Sequence, residues 1–446
     1  MIKTRKDIAF YLIGKLNNFD IEKYYQFALE NQYWDQKKIQ EYQNSKFKDI
    51  IQHAYDNVPY YNRLLNEYGY KPSDFKETSD LIKLPILRKD EIKKNFNDFL
   101  AKNYRQYNPV DRYTGGTTGA AFHLYNDLNS WAINWATKIR TYSWGGYEFG
   151  KDKLGVMAGG SLLPSKKGGV KNRIWRWVNN YFTMPITQMT DASLENYANI
   201  LERKHIRFLR GYPSAIYTLA KYLSERNRKI NISAVFSTAE MLHDHQRILI
   251  EKTFNCKCFD QYGCADGMGG ANECNHHIGM HINIDTSLMN VIDNDGNEVK
   301  HNEEGEIVLT SFYDKAMPLI RYAPGDYAIK SEDKCSCGRT LPMIKKIIGR
   351  TSDLIKLSNG INLNGLSIPF EVWSDKIERF QIVQTKPNAV EVVLIKKQSY
   401  TQKDETQVLE MMNYNCGSGI DIQVKYVDNI LLPESGKFRY VISLVK

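Results

Sequence analysis

Apolar positions in the first hundred residues recur at the spacing of a helix. Phe47, Ile50, Ile51, His53, Ala54 and Val58 keep that period. The run "NVPYYN" breaks it at Pro59, and Leu84 to Leu87 around Pro85 reads as a connector. Leu87 to Phe96 predicts a further helix, with Asp90 and Glu91 in its first turn. From about residue 105 the pattern changes to short apolar runs alternating with amphipathic ones. "WAINWATKIRTYSWGG" predicts a helix stopped by Gly145 and Gly146, and "KLGVMAGG" a buried strand. "IRFLRGYPSAIYTLAKYLSE" predicts strand, turn and helix; "ISAVFSTAEML" and "CKCFDQYGCADG" predict strands with polar carboxyl ends. Strands alternating with helices predict an α/β sheet, which places ligands at the carboxyl ends of its strands.

Beyond about residue 280 the signal is β. A hairpin is expected at Asn294-Asp295-Gly296, and "GEIVLTSF" is a strand. After "IGRTSDLIKLSNG" the tail of about 90 residues reads as a small α+β domain. Its strands are "AVEVVLIKK" and "IDIQVKYV", and its helix is "ETQVLEMMNYN".

The chain has 446 residues, 42% hydrophobic and 25% charged, which suits two or three soluble domains. A balance of 60 Lys+Arg against 51 Asp+Glu gives a net charge of +9, spread along the chain. That charge fits an anionic small molecule at least as well as nucleic acid, and the Lys/Arg residues lack the interleaved stacking aromatics of a nucleic-acid reader. No apolar run is long enough for a transmembrane helix. The first residues, Met1 to Leu16, read as an amphipathic helix rather than a signal peptide, so a cytoplasmic protein is expected. Six of the seven cysteines lie between Cys256 and Cys337, which points to a reducing compartment and a metal rather than to disulfides.

The strongest chemical signal is Thr114-Gly115-Gly116-Thr117-Thr118-Gly119. Glycines let backbone N–H groups approach a ligand and threonines add hydroxyls, so the loop suits polyphosphate oxygens; the alternative is an ordinary turn. It is not a Walker loop, because Ala120 and Ala121 stand where Gly-Lys-Ser/Thr would begin. Further polar clusters end apolar runs: Ala239-Glu240, Gln261-Tyr262-Gly263 with Asp266, Gly325-Asp326, Arg350 with Asp353, and Lys437. Cys335-x-Cys337, with Cys274 and a histidine, can form a closed tetrahedral and therefore structural Zn²⁺ site. His276, His277 and His281 compete for the fourth place, and free thiols throughout are the alternative.

In this order the motifs resemble the adenylate-forming (acyl-CoA synthetase-like) superfamily. "MPLIRYAPGDY", "CSCGRTLP" and "ECNHHIGMH" resemble its phenylacetate–CoA ligase branch, which includes CapK-like capsule-biosynthesis proteins. The resemblance runs from about Lys46 to Lys437. It implies layered α/β sheets plus a distorted β-barrel in a large ATP- and substrate-binding domain, residues 1–350, helical over about 1–100. A small mobile domain, residues 351–446, would carry the lysine loop.

The implied roles follow position by position. Thr114 to Gly119 hold the ATP phosphates, Ala239 and Glu240 lie beside adenine, and Tyr262 stacks on it between Gln261 and Gly263. Asp266 binds Mg²⁺, Asp326 holds the ribose hydroxyls, Arg350 lies near ribose and phosphates, and Asp353 is the hinge. Lys437 steadies the attacking carboxylate and α-phosphate. The alternatives are a turn role for Asp326 and Lys437 and a core role for Tyr262. The separation of Cys and His in the resembling family favours His281 as the zinc ligand. Asp266 stands where the family usually has Glu, and the phosphate loop lacks a following lysine. Both departures admit a degenerate nucleotide-binding scaffold.

The resemblance implies ATP and a small carboxylic acid as substrates, an acyl-adenylate intermediate, and CoA as acceptor. An amine or hydroxyl acceptor on a surface-polysaccharide precursor is the alternative. Trp144, Met157 to Ser161, Arg210 to Ser214 and Cys264 are candidate lining for the acyl pocket. Arg210 would pair there with a second acid or phosphate, or is simply a surface arginine. The stretch containing Trp175 and Trp177 reads as an amphipathic helix, a lid, or a peripheral membrane contact. Monomer and homodimer are both open.

Overall fold

The helical period at the start of the chain becomes α1 (Arg5–Asn17), α2 (Ile21–Asn31), α3 (Gln36–Asn57) and α4 (Pro59–Glu67) in a computed structural model. The structure describes residues 5–17, 20–114, 122–159, 177, 179–186, 189–264, 268–350, 354–356, 362–364, 373, 376–416, 420–430, 438 and 440–445. The side chains of Asp20 and Asp35 cap α2 and α3, accepting from the amides of Lys23 at 3.0 Å and Lys38 at 2.8 Å. Pro59 ends the period of α3 by opening α4, where its missing N–H costs nothing. Phe47, Ile51, Ala54 and Val58 pack on Tyr61, Leu65 and Phe99 in one cluster.

The helix expected over Leu87 to Phe96 is shorter: α5 covers Lys89–Lys94. Leu87 is instead held extended. Its amide donates to the Arg321 carbonyl and its carbonyl accepts from the Ala323 amide, both at 2.9 Å. Arg321 also fixes the connector before it, donating from its guanidinium to the carbonyls of Ile82 and Leu84. The arginine of "LIRYAPGDY" is therefore a structural bolt here.

Next come the antiparallel pair β1 (Pro109–Thr114) and β2 (Phe122–Asp127), then α6 (Leu128–Ser143). The alternating stretch gives β3 (Leu154–Ala158), β4 (Tyr181–Pro185), α7 (Asp191–Arg203), β5 (Phe208–Gly211) and α8 (Pro213–Glu225). It closes with β6 (Ala234–Thr238), α9 (Asp244–Phe254) and β7 (Lys257–Cys264). These strands run parallel in the order β7-β6-β5-β3-β4. The central β3, β5 and β6 are buried throughout, as strands covered on both faces are. Gly211 ends β5 where a Cβ would overlap the Met157 carbonyl, so no larger residue fits.

The sheet continues with β8 (Gly269–Glu273), β9 (Met280–Ile282), β10 (Ser287–Ile292), β11 (Glu304–Ser311), β12 (Asp326–Ser331) and β13 (Met343–Arg350). The full order is β10-β11-β12-β13-β9-β8-β7-β6-β5-β3-β4. The turn expected at Asn294 to Gly296 forms after β10: Asp293 accepts from the amides of Asp295 and Asn297, each at 2.9 Å.

The chain divides into two units, Met1–Pro324 with Ala328–Ile347, and Gly325–Tyr327 with Ile348–Lys446. In the second, β14 (Leu354–Lys356) pairs with β15 (Asn362–Asn364). Its other strands are β16 (Ile377–Lys386), β17 (Ala389–Lys396), β18 (Asp421–Tyr426) and β19 (Val441–Ser443), in the order β18-β17-β16-β19. Val408 and Met412 of α10 (Gln402–Cys416) pack with Ile382, Val392 and Leu394 of that sheet. Among the described residues no helix is long and apolar enough to cross a membrane.

Candidate active site

Parallel strands leave unpaired backbone and loop residues at their carboxyl ends, and Ala239, Glu240, Gln261, Tyr262 and Gly263 lie there, just after β6 and on β7. β6 ends at Thr238, and the next residue, Ala239, has φ +69°. A non-glycine residue held left-handed is strained backbone, of the kind that surrounding structure must enforce. Glu240 is fixed from the helix that follows the neighbouring strand: its Oε2 accepts from the Ser214 amide, 3.2 Å, at the start of α8. Gln261 is buried on β7, its Nε2 donating to Thr141 Oγ1 of α6 at 3.2 Å. Tyr262 is half-buried opposite Ala271, and Gly263 is exposed opposite Gly270. One strand step earlier, Asp260 accepts from Ser237 Oγ at 2.8 Å; burial, helped by Glu273, pushes its carboxyl up to about 7.

The phosphate-loop candidates begin at the end of β1. Thr114 is the last residue of β1 and pairs with Phe122, so the hairpin delivers both ends of the loop to one place. Gly115, Gly116, Thr117, Thr118 and Gly119 lie outside the described residues, as do Asp266, Asp353 and Lys437. The hairpin's far end is anchored by Asp127, which accepts from the amides of Lys315 at 2.8 Å and Ala316 at 2.9 Å. Burial and then Asp314 push Asp127 up to about 8. Asp326 opens β12 and is buried, and Arg350 is the last residue of β13. Most of the basic tryptophan stretch, Trp175 included, is also outside the described residues; Trp177 is exposed.

Cys274, His281, Cys335 and Cys337 converge: their donor atoms all lie within 4.8 Å of one another. Cys274 follows β8, His281 is central in β9, and the two other cysteines sit in the loop before β13. Cys274 Sγ is 3.6 Å from Cys335 Sγ, and Cys337 Sγ is 3.4 Å from His281 Nε2, with no disulfide. Backbone amides of His276 and Arg339 point at Cys274 Sγ and Cys337 Sγ, at 3.5 and 3.4 Å, as thiolates require.

The competing histidines face elsewhere. His276 Nδ1 meets Ser336 Oγ at 2.8 Å, and His277 Nδ1 meets Glu273 at 3.1 Å. Ile39, Trp144, Ile284, Leu341 and Met343 enclose the four donors. Burial holds His281 down to about 4, so its ring stays neutral, the form that binds a metal. Burial also pushes the Cys274 thiol up to about 12, a penalty on the thiolate that a bound cation would offset. The donor set therefore fits a four-coordinate Zn²⁺ with no open position.

A third group was only partly signalled by the sequence. Arg210 lies in the apolar run of β5, while Lys138 and Arg112 are unremarkable members of a helix and an edge strand. Their shared feature is the absence of any ion pair among the described residues.

Residues 356–444 match the model of the CapK C-terminal domain. Protein CapK of Staphylococcus aureus is 25% identical over 422 residues, 91% of this chain and 89% of that one. The phenylacetate-coenzyme A ligase of Thermus thermophilus is 25% identical over 346 residues, 73% of each chain. The crystal structure of 2-hydroxyisobutyryl-CoA ligase in the postadenylation state, with R3-HIB-AMP, matches with a TM-score of 0.74 at 18% identity over 93% of each chain. The relatives are thus CapK and phenylacetate–CoA ligases, and the fold is that of adenylate-forming CoA ligases.

Proposed function

We propose that this protein is an AMP-forming ligase that activates a small carboxylic acid as its acyl-adenylate and passes the acyl group to coenzyme A. The observation that carries the reading is the strained Ala239-Glu240 step set beside Gln261-Tyr262-Gly263 at the carboxyl ends of β6 and β7 in this fold. A carboxylate is a poor electrophile. Attack of its oxygen on the α-phosphorus of ATP breaks the bond to pyrophosphate and makes AMP the leaving group. The thiol of CoA then attacks the acyl carbon and AMP departs.

Ala239, Glu240 and Tyr262 bind adenine in this reading, with Asp326 on the ribose and Arg350 near the phosphates. Thr114 to Gly119 cradle the phosphates, Asp353 is the hinge, and Lys437 steadies negative charge at the α-phosphate. Asp266 holds Mg²⁺, which supplies neutralisation of the phosphate charge. Cys274, His281, Cys335 and Cys337 hold a structural Zn²⁺.

A second acceptor chemistry, an amine or hydroxyl of a surface-polysaccharide precursor, is favoured by one specific observation. The tail matches the CapK C-terminal domain and the similarity to CapK spans nearly the whole chain. ATP–pyrophosphate exchange across a panel of acids tests the first half-reaction, and adding CoA tests the second. Exchange without thioester supports the amine or hydroxyl acceptor, and no exchange with any acid refutes the ligase.

A further inference from the structure

Helix α6 packs on one face of the parallel sheet, where Tyr142 meets Phe236 of β6 with ring centroids 4.8 Å apart. Arg210 pairs in register with Phe236, so its side chain leaves the sheet on that same face, toward α6. Arg210 is buried, and its Nε has no hydrogen-bond partner. Lys138 lies one helical turn before Tyr142 on α6, so the two share a face. Arg112 arrives from β1. The charges that act on the Lys138 ammonium are Arg210 and Arg112, both repulsive, and together with burial they push it down to about 7.

No ion pair or hydrogen bond among the described residues engages the charged ends of Arg112, Lys138 or Arg210. One carboxylate acts on Arg112, that of Asp314, which is itself buried and already bonded to Ser311 Oγ and the Asp127 amide. The buried hydroxyl of Tyr142 is also without a partner, and Arg210 acts on the phenols of Tyr142 and Tyr181. The buried Arg210, the half-buried Lys138 and Arg112, and the Tyr142 hydroxyl thus converge with no carboxylate among the described residues paired to them. An uncompensated buried charge is costly, and such clusters persist where a ligand supplies the counter-charge.

The place matters as much as the charge. Arg210 is level with Phe236, three residues before Ala239, which is about 10 Å along the strand. Four residues after Arg210, the Ser214 amide holds Glu240. Three residues after Lys138, Thr141 holds Gln261. The cluster therefore lies just beneath the candidate nucleotide residues, on the elements that would line the acyl pocket.

We infer that Arg210, Lys138 and Arg112 form a subsite for a second anionic group on the acid, a carboxylate or a phosphate several bonds from the carboxyl that is activated. The inference rests on the acyl-adenylate reading and narrows it: the substrate is a dianion rather than a simple aryl or alkyl acid.

The test uses the full chain and matched pairs of acids: an α,ω-dicarboxylate against its monomethyl ester, and an ω-phosphocarboxylate against the ω-hydroxy acid. ATP–pyrophosphate exchange is expected to favour a dianion by at least about tenfold in kcat/KM. Arg210→Gln should abolish that preference and Arg210→Lys should restore part of it, with ATP binding unchanged in both. The pair that shows the preference says whether the second group is carboxylate or phosphate. Equal exchange with the ester or hydroxy acid overturns the inference. So does a preference that survives both Arg210→Gln and Lys138→Met, or loss of ATP binding in the variants, which would assign the cluster to the nucleotide.

Thermal melting without ATP separates the two readings. A dianion should raise the Tm of the parent and not of Arg210→Gln, whatever happens in catalysis. That shift without exchange for any acid supports the subsite and refutes adenylation. Exchange with monoanionic acids and no shift refutes the subsite alone.

Discussion

Helix α6 carries two cations with opposite surroundings. Arg140 is fully buried and its terminal nitrogens are met on every side. Nη1 donates to Asp285 at 2.9 Å, to Asn31 at 3.0 Å and to the Ala28 carbonyl at 3.2 Å, and Nη2 donates to Asn283 at 2.9 Å. Lys138, two residues earlier and so about 200° around the helix, faces Arg210 and Arg112 with no such partners among the described residues. The first cluster is neutral within itself and joins α2, α6 and the segment after β9. The second has no paired counter-charge among the described residues. Charge balance within the core thus distinguishes polar groups that hold the fold from those that await a ligand.

Mutations test this distinction by sign as well as size. Asp285→Ala strands the Arg140 charge in the interior, and denaturant unfolding should show a loss of about 3–5 kcal/mol. Cys335→Ser removes one ligand of the proposed zinc, with an expected loss on the order of 4 kcal/mol and of the bound metal by elemental analysis. Arg210→Gln should do the reverse and stabilise the ligand-free protein by about 1 kcal/mol, since it removes an unpaired buried cation. A destabilisation there comparable to that of Asp285→Ala would erase the comparison. Lys151→Ala, which breaks the exposed pair with Glu148, should change stability by less than about 1 kcal/mol.

A pH titration sharpens the same point. The Lys138 ammonium is held at about 7 in the fold, below its ordinary value of 10.5, by burial and then by Arg210 and Arg112. Above pH 7 the unfolded chain therefore binds a proton that the folded chain does not. Stability relative to Lys138→Met should rise with pH from about 7 to about 10.5 and be flat outside that window. No such slope would mean that the ammonium is solvated or paired.

Much of this was legible in the sequence, for identifiable reasons. Strands β3, β5 and β6 are buried on both faces, so they stand out as apolar runs, and Arg210, Ala239-Glu240 and, on the neighbouring β7, Gln261-Tyr262 lie at the carboxyl ends. Cysteine spacing marked three of the four clustered donors and the family resemblance favoured His281, which β9 brings to them while His276 and His277 face elsewhere. Strand β16 was missed because it is irregular: register shifts at Ile377/Arg379 and Gln384/Lys386 break its alternation. Arg140 and Arg210 look alike in sequence, each a lone arginine among apolar residues. Asp285, which separates them functionally, is 145 residues from Arg140 and reaches it only through the fold.

Activation of a carboxylate through its adenylate is what separates a ligase from a nucleotide-binding scaffold. The most direct measurement is carboxylate-dependent exchange of labelled pyrophosphate into ATP, in the parent chain and in Lys437→Ala. Exchange should require an acid and fall by about 100-fold or more in the variant. Nucleotide binding without exchange for any acid, or exchange untouched by loss of Lys437, would contradict it.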